Sequence, residues 1–117
     1  RDAEGKVTIS LERLSKLPTA FACNCDVTAY VLLNALKENG IRVPEDVSVV
    51  GFDDYILADL AVPSLTTYAI DVDHMAKVSA QQLIRRIQKP EAEVRRIVVS
   101  GKLVIRESVQ KHSGNTA

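Results

Sequence analysis

Val47 to Phe52 is a nearly continuous apolar run that stops abruptly at Asp53-Asp54. A strand with one wet face alternates apolar and polar residues, whereas a run without that alternation reads as a strand buried on both faces, inside a parallel sheet. A second compact apolar run, Thr19 to Cys23, follows Pro18 and ends at Asn24-Cys25-Asp26, which suits a buried strand leading into a helix. Asp26 or Asn24 is the expected N-cap, because a short side-chain oxygen there can accept from the unpaired amides of the first turn. Ala29, Leu32, Leu33 and Leu36 then recur at i, i+3, i+4 and i+7, on one helical face. Gly40 is placed to end that helix, with Pro44 beyond it.

The same reading continues along the chain. Ile56, Leu57 and Leu60 form a short helical turn closed by Pro63, and Leu65 to Ile70 is a third strand. A longer helix runs from about Asp71 to Gln88, with Met75, Ala76, Ser79, Leu83, Ile84 and Ile87 as its expected buried stripe and Pro90 as its stop. Strands are expected at Arg96 to Ser100 and Leu103 to Glu107, on either side of Gly101. Residues 1–17 read as a lead-in loop with at most one short strand, and 110–117 as a disordered tail. Strand, helix, strand, helix, strand is an α/β order with a Rossmann-like, mainly parallel sheet. Ligands of such sheets bind beyond the carboxyl ends of the strands, which here are Asn24 to Asp26, Asp53 to Tyr55 and Ile70 to Asp71.

Composition bounds the rest. A length of 117 residues, with 46% hydrophobic and 26% charged side chains, describes one globular domain at most. Lys+Arg and Asp+Glu balance at 15 each, so bulk charge draws the chain neither to nucleic acid nor to an anionic membrane. The charge is unevenly placed: Glu45, Asp46, Asp53, Asp54, Asp59, Asp71 and Asp73 lie in a stretch without Lys or Arg, and bases dominate from Arg85 to Lys111. The plain reading is a solvated helix face and loop charges; the sharper one is that part of the basic set meets acidic surface on a neighbouring subunit or on missing parts of the same chain. The longest apolar stretch, around Ala29 to Leu36, is far too short to span a bilayer. The beginning of the sequence has neither a Met nor the pattern of a signal peptide, and reads as a cut within a longer chain. Cys23 and Cys25 could close only a very small loop, which favours free thiols and a reducing, cytoplasmic setting.

Chemistry is sparse. Asp53-Asp54 at a strand end can be a turn cap with a solvated acid, a Mg²⁺ site, or an acceptor of ligand hydroxyls. Cysteine catalysis needs a base within reach, and His74 on a helix start and His112 in the tail are poorly placed for it. A zinc site from Cys23, Cys25 and two distant histidines lacks the usual spacing. No metal or cofactor is expected.

Pro18-Thr19-Ala20-Phe21 leading to Cys25-Asp26, then Gly40 to Asp54, Pro63-Ser64-Leu65-Thr66-Thr67 and Leu103 to Ser108, resemble the effector-binding domain of LacI/GalR-type transcriptional regulators. The resemblance covers about Leu17 to Val109. It implies a fragment of a type I periplasmic-binding-protein-like fold, in which two α/β subdomains joined by three crossovers hold a small effector, a sugar or nucleobase, in their cleft. Residues 18–109 would be the C-terminal portion of that domain, with about 71–99 belonging to the first subdomain. Operator DNA would be bound only by a helix-turn-helix absent from this sequence, and ligand-linked closure would change DNA affinity.

Carried over by residue, Asp53 matches the family acid that accepts from ligand hydroxyls or ring nitrogens. Asp26 matches the acid of the family's Asn-Asp pair, with Cys25 in the Asn position and Asn24 one residue earlier. Ile70 stands where many members carry a polar residue near the third crossover. The helix from Asp26 to Asn39 and the turn from Asp54 to Leu60 match elements of the family's dimer interface. The expected whole is a non-enzymatic, cytoplasmic sensing module that forms a homodimer, and exposed helix faces in the fragment would favour self-association, including exchange of elements. A periplasmic or secreted sugar-binding protein shares the fold and is the alternative; an enzyme on a similar sheet ranks third.

Overall fold

The computed structural model describes residues 9–12 and 14–111. Its elements are β1 (Ala20–Ala22), α1 (Asp26–Glu38), β2 (Ser48–Asp53), α2 (Ile56–Leu60), β3 (Thr66–Ala69), α3 (Val72–Gln88) and β4 (Lys102–Val104). The four strands form one sheet in the order β1-β2-β3-β4, and β1, β2 and β3 run parallel. Ala22 pairs with Val50, and Val50 and Asp53 pair in turn with Thr66 and Ala69. The chain divides into two compact units, one comprising the residues up to Ala69 and from Leu103 onward, the other Ile70–Lys102.

The first unit has its core on one face of the sheet, so neither apolar run is buried as expected: Phe52 on the other face of β2 is 39% exposed, and Ala20 and Ala22 of β1 are exposed. Ala29, Leu32, Leu33 and Leu36 of α1 are all buried and meet Val47, Val49, Ala58, Ala61 and Leu65. The stripe at i, i+3, i+4 and i+7 therefore does what its spacing implies. The end of α1 is also local in origin: Gly40 takes φ 72, the Gly40 amide donates to the Lys37 carbonyl at 3.1 Å and the Ile41 amide to the Leu36 carbonyl at 2.9 Å. That double bond pattern requires a left-handed residue, which glycine adopts without steric cost.

Leu103 onward completes this unit through side chains rather than a long strand. The strand expected over Leu103 to Glu107 is shorter, Lys102–Val104. Beyond it, the Ser64 amide and hydroxyl donate to the Glu107 carboxylate at 3.1 and 3.0 Å. Fully buried Ser108 sits between β2 and β3, donating from Oγ to the Val49 carbonyl at 2.6 Å and accepting from the Thr66 amide at 2.8 Å. Its own carbonyl accepts from the Val49 amide at 2.9 Å. Of the tail expected to be disordered, Gln110 is held in place, donating to Ser48 Oγ and to the Glu45 carbonyl; residues 112–117 lie outside the described residues. No strand occurs in 9–12 or 14–17, and the rest of that expectation falls on residues 1–8 and 13, also outside them.

The second unit is α3 and the segment that follows it. Asp71 caps α3, its Oδ1 accepting from the His74 amide at 2.9 Å. Two expectations fail here. No residue of α3 is buried, and Leu83, Ile84 and Ile87 are 62%, 54% and 70% exposed, because a single helix with one return segment has nothing to cover its apolar stripe. Arg96 to Ser100 is not a strand either: strands exist by pairing, and this segment joins none of the sheet's four. It shares with α3 the lining of a shallow cavity of about 210 Å³ that includes Met75, Val78, Gln82, Ile97 and Val99.

Replacing Ser108 by Ala leaves the Val49 carbonyl and the Thr66 amide without this buried partner, at roughly 1 to 3 kcal/mol per orphaned group. Ser108→Ala should therefore lower the stability in urea unfolding by about 2 kcal/mol, whereas Ser10→Ala, at an exposed loop position, should leave it unchanged.

Candidate functional site

The carboxyl ends of β1 and β2 lie side by side, so the segments Cys23 to Asp26 and Asp53 to Tyr55 meet at one edge of the sheet. The Cys23 amide donates to the Val50 carbonyl at 2.9 Å and carries the pairing one residue past β1. The N-cap of α1 is Cys25, without a side-chain capping bond, rather than Asp26 or Asn24. Asp26 is the helix's first residue and turns away from its amides. It is 1% exposed, and its two oxygens accept from the Thr67 hydroxyl at 2.6 Å and from the Tyr55 amide at 2.7 Å.

This carboxyl group lies over Gly51. A Cβ at Gly51 would overlap Asp26 Oδ1 and come within 2.8 Å of Leu65 Cδ2, so the glycine in mid-strand is the space the buried acid occupies. Thr67, fully buried, also accepts from the Asp54 amide at 3.4 Å. Successive amides of the segment after β2 are thus held by Thr67 and Asp26. The backbone needs holding: Asp53 has φ 108 and Asp54 φ 58, a region costing a non-glycine residue on the order of 1 to 3 kcal/mol.

The outcome of that turn is the placement of Asp53. Its carboxylate is half-buried and has no hydrogen-bond or ion-pair partner among the described residues. An acceptor group so placed can take two hydrogen bonds from a ligand's hydroxyl or N–H groups. Asp54 is different: its Oδ1 is 2.8 Å from an Arg106 nitrogen. Asp59 pairs with the same arginine and Asp46 with Arg42, so among the described residues three of the seven acids of that stretch are matched by bases.

Cys25 is half-exposed beside this turn, with Sγ 3.3 Å from Thr28 Oγ1. The Thr28 hydroxyl, then the Thr28 and Val27 amides, favour its thiolate and lower its pKa, while burial and the nearby Asp53 charge oppose them. Burial first, then Cys25 and Asp26, raise the Cys23 thiol. Asn24 is exposed on the bend between β1 and α1. Ile70 opens the second unit one residue past Ala69, the register partner of Asp53. Of the residues singled out from sequence, the structure brings together Cys25, Asp26 and Asp53. It adds Gly51, Thr67 and the Tyr55 amide, of which only the mid-strand glycine carried a local signal. No group of three or more His, Cys, Asp or Glu that could hold a metal occurs among the described residues. A groove of about 460 Å³ between Leu33, Lys37, Ile41, Val43, Val62 and Pro63 includes none of these site residues.

Residues 1–109 match the model of the periplasmic binding protein-like domain. The chain belongs to that family. Its relatives within it are LacI-type regulators. It is 37% identical over 105 residues to the HTH-type transcriptional repressor PurR of Vibrio parahaemolyticus, covering 90% of this chain and 31% of that protein. A LacI family transcriptional regulator from Enterococcus faecium with bound ribose superposes with a TM-score of 0.74 at 32% identity, over 84% of this chain and 37% of that one. The cellobiose complex of the transcriptional regulator CelR gives 0.74 at 36%, over 77% and 28%. The periplasmic binding protein-like domain described here thus spans about a third of the length of the regulators it matches.

Gly51→Ala should cost about 3 kcal/mol in urea unfolding, and less in an Asp26→Ser background, where the overlap with Asp26 is relieved and only the flexible Leu65 side chain must shift. Iodoacetamide near neutral pH should modify Cys25 about tenfold faster than Cys23, read by mass spectrometry, because only the thiolate reacts.

Proposed function

We propose that this domain is the effector-sensing part of a cytoplasmic transcriptional regulator, non-enzymatic, and that its effector is a sugar. The observation carrying the proposal is the unpartnered Asp53 carboxylate at the end of β2, held on a strained turn by Asp26 and Thr67. In this reading Asp53 accepts from effector hydroxyls, and Cys25 borders the effector where the family commonly has Asn. Asn24 and Ile70 contribute at the margins, Ile70 by apolar contact. Asp26, buried and bonded to the protein, supports the turn from beneath instead of touching the effector. The ribose and cellobiose held by two structural neighbours support a sugar, and relatives that are repressors favour a regulator over a solute carrier.

Operator DNA is bound by another part of the complete protein, and closure of the effector cleft changes that affinity. The exposed Val27, Ile56 and Leu60 along α1 and α2 support a homodimer through those elements. Calorimetry of the full-length regulator with D-ribose, D-xylulose, cellobiose, lactose and a nucleoside panel tests the proposal. Asp53→Ala should weaken the effector by at least about a hundredfold, two hydrogen bonds to a charged acceptor being worth roughly 1.5 to 3 kcal/mol each net of exchange with water. Unchanged affinity in that variant rejects Asp53 as the contact.

A further inference from the structure

The closing run Leu103 to Ser108 carries part of the family resemblance, yet the effector reading gives it no role. Arg106 is its most connected residue. Its amide donates to Thr66 Oγ1 at 2.9 Å and its guanidinium to the Leu65 carbonyl at 3.0 Å. A second guanidinium nitrogen stands 2.8 Å from both Asp54 and Asp59. The Arg106 side chain is 15% exposed, the Asp54 side chain 28% and that of Asp59 70%.

Those exposures rank the two ion pairs. The Asp59 pair is at the surface and weak, whereas the Asp54 pair is the less exposed of the two and charge-assisted. Asp54 has one other hold, the 3.4 Å bond from its amide to Thr67, which is beyond the usual range for an N–H donor. The ion pair is therefore the firmer grip on a residue with φ 58, directly after the residue with φ 108 that faces the effector. Glu107 on Ser64 and Ser108 on Val49 and Thr66 keep Arg106 itself from shifting.

We propose that Arg106 is a positioning residue of the effector site, which acts through Asp54 to hold the Asp53 carboxylate in its accepting orientation; this rests on the reading of Asp53 as the effector contact. The turn that meets the effector is thereby fastened to the segment just past β4, on which the chain returns from the second unit.

Amide hydrogen exchange on the full-length protein tests the inference without a ligand. The peptide over 52–57 should exchange at least tenfold faster in Arg106→Lys, whose single ammonium cannot reach all the same acceptors. Asp54→Asn, which tolerates the left-handed backbone but loses the charge, should give about a fivefold increase. Asp59→Asn should match the wild type, and the peptide over 27–38 should be unchanged in every variant. An unchanged 52–57 peptide, or equal loosening of α1, overturns the inference. So does faster exchange in Arg106→Lys with an unaltered dissociation constant for whichever of D-ribose, cellobiose and lactose the wild type binds. Unweakened sugar binding in Asp53→Ala removes the effector contact instead, and leaves the exchange result standing as a purely structural clamp.

Discussion

A carboxyl group placed where water cannot reach it must find donors, and Asp26 finds two: a hydroxyl from β3 and an amide from just after β2. Neither donor belongs to the helix that Asp26 begins. One side chain therefore ties α1, β2 and β3 together at the carboxyl ends of the strands, and it can do so only because Gly51 has no Cβ. Substituting either member of that close approach disturbs the other. The acid at the start of α1 and the glycine in the strand behave as a single structural unit.

From that tie follows the unusual backbone of Asp53 and Asp54. Two consecutive non-glycine residues with positive φ would relax toward ordinary conformations unless their neighbours were fixed. Asp26 fixes the Tyr55 amide, Thr67 assists at Asp54, and Arg106 anchors the Asp54 carboxylate. The consequence is division of labour between adjacent acids: Asp54 is bound into the protein, and Asp53 is left with its acceptor capacity unused. Preorganisation of this kind lowers what a ligand must contribute to order its own site.

Much of this was legible in the order of residues. The unalternating Val47 to Phe52 run does lie between β1 and β3 in a mainly parallel sheet, though only one of its faces is buried, and Ala29, Leu32, Leu33 and Leu36 do form the core face of α1. Gly40 ends the helix because the cap is a local matter of φ and nearby carbonyls. What escaped were features that depend on distant partners. Spacing places Asp26 at a helix start but cannot say whether its carboxyl group turns to its own helix or to Thr67, forty-one residues away in sequence. The stripe from Met75 to Ile87 has helical periodicity, and α3 is a helix; whether such a stripe is buried depends on what lies against it. Pairing likewise decided against a strand at Arg96 to Ser100. Arg106 and Ser108 stood in a recognisable motif, but their bonds to Asp54 and Val49 span more than fifty residues.

The first unit is discontinuous: its last fastenings, at Arg106, Glu107 and Ser108, arrive only after the whole of the second unit has been threaded. During synthesis β1, α1 and β2 are made well before Ser108, the residue that bridges Val49 and Thr66 where the pairing of β2 and β3 begins. Until then the Val49 carbonyl and the Thr66 amide lack their buried partner, and contacts of such sequence separation form slowly. The unit thus emerges open at one seam, and the seam closes only once Ser108 has followed the whole of the second unit.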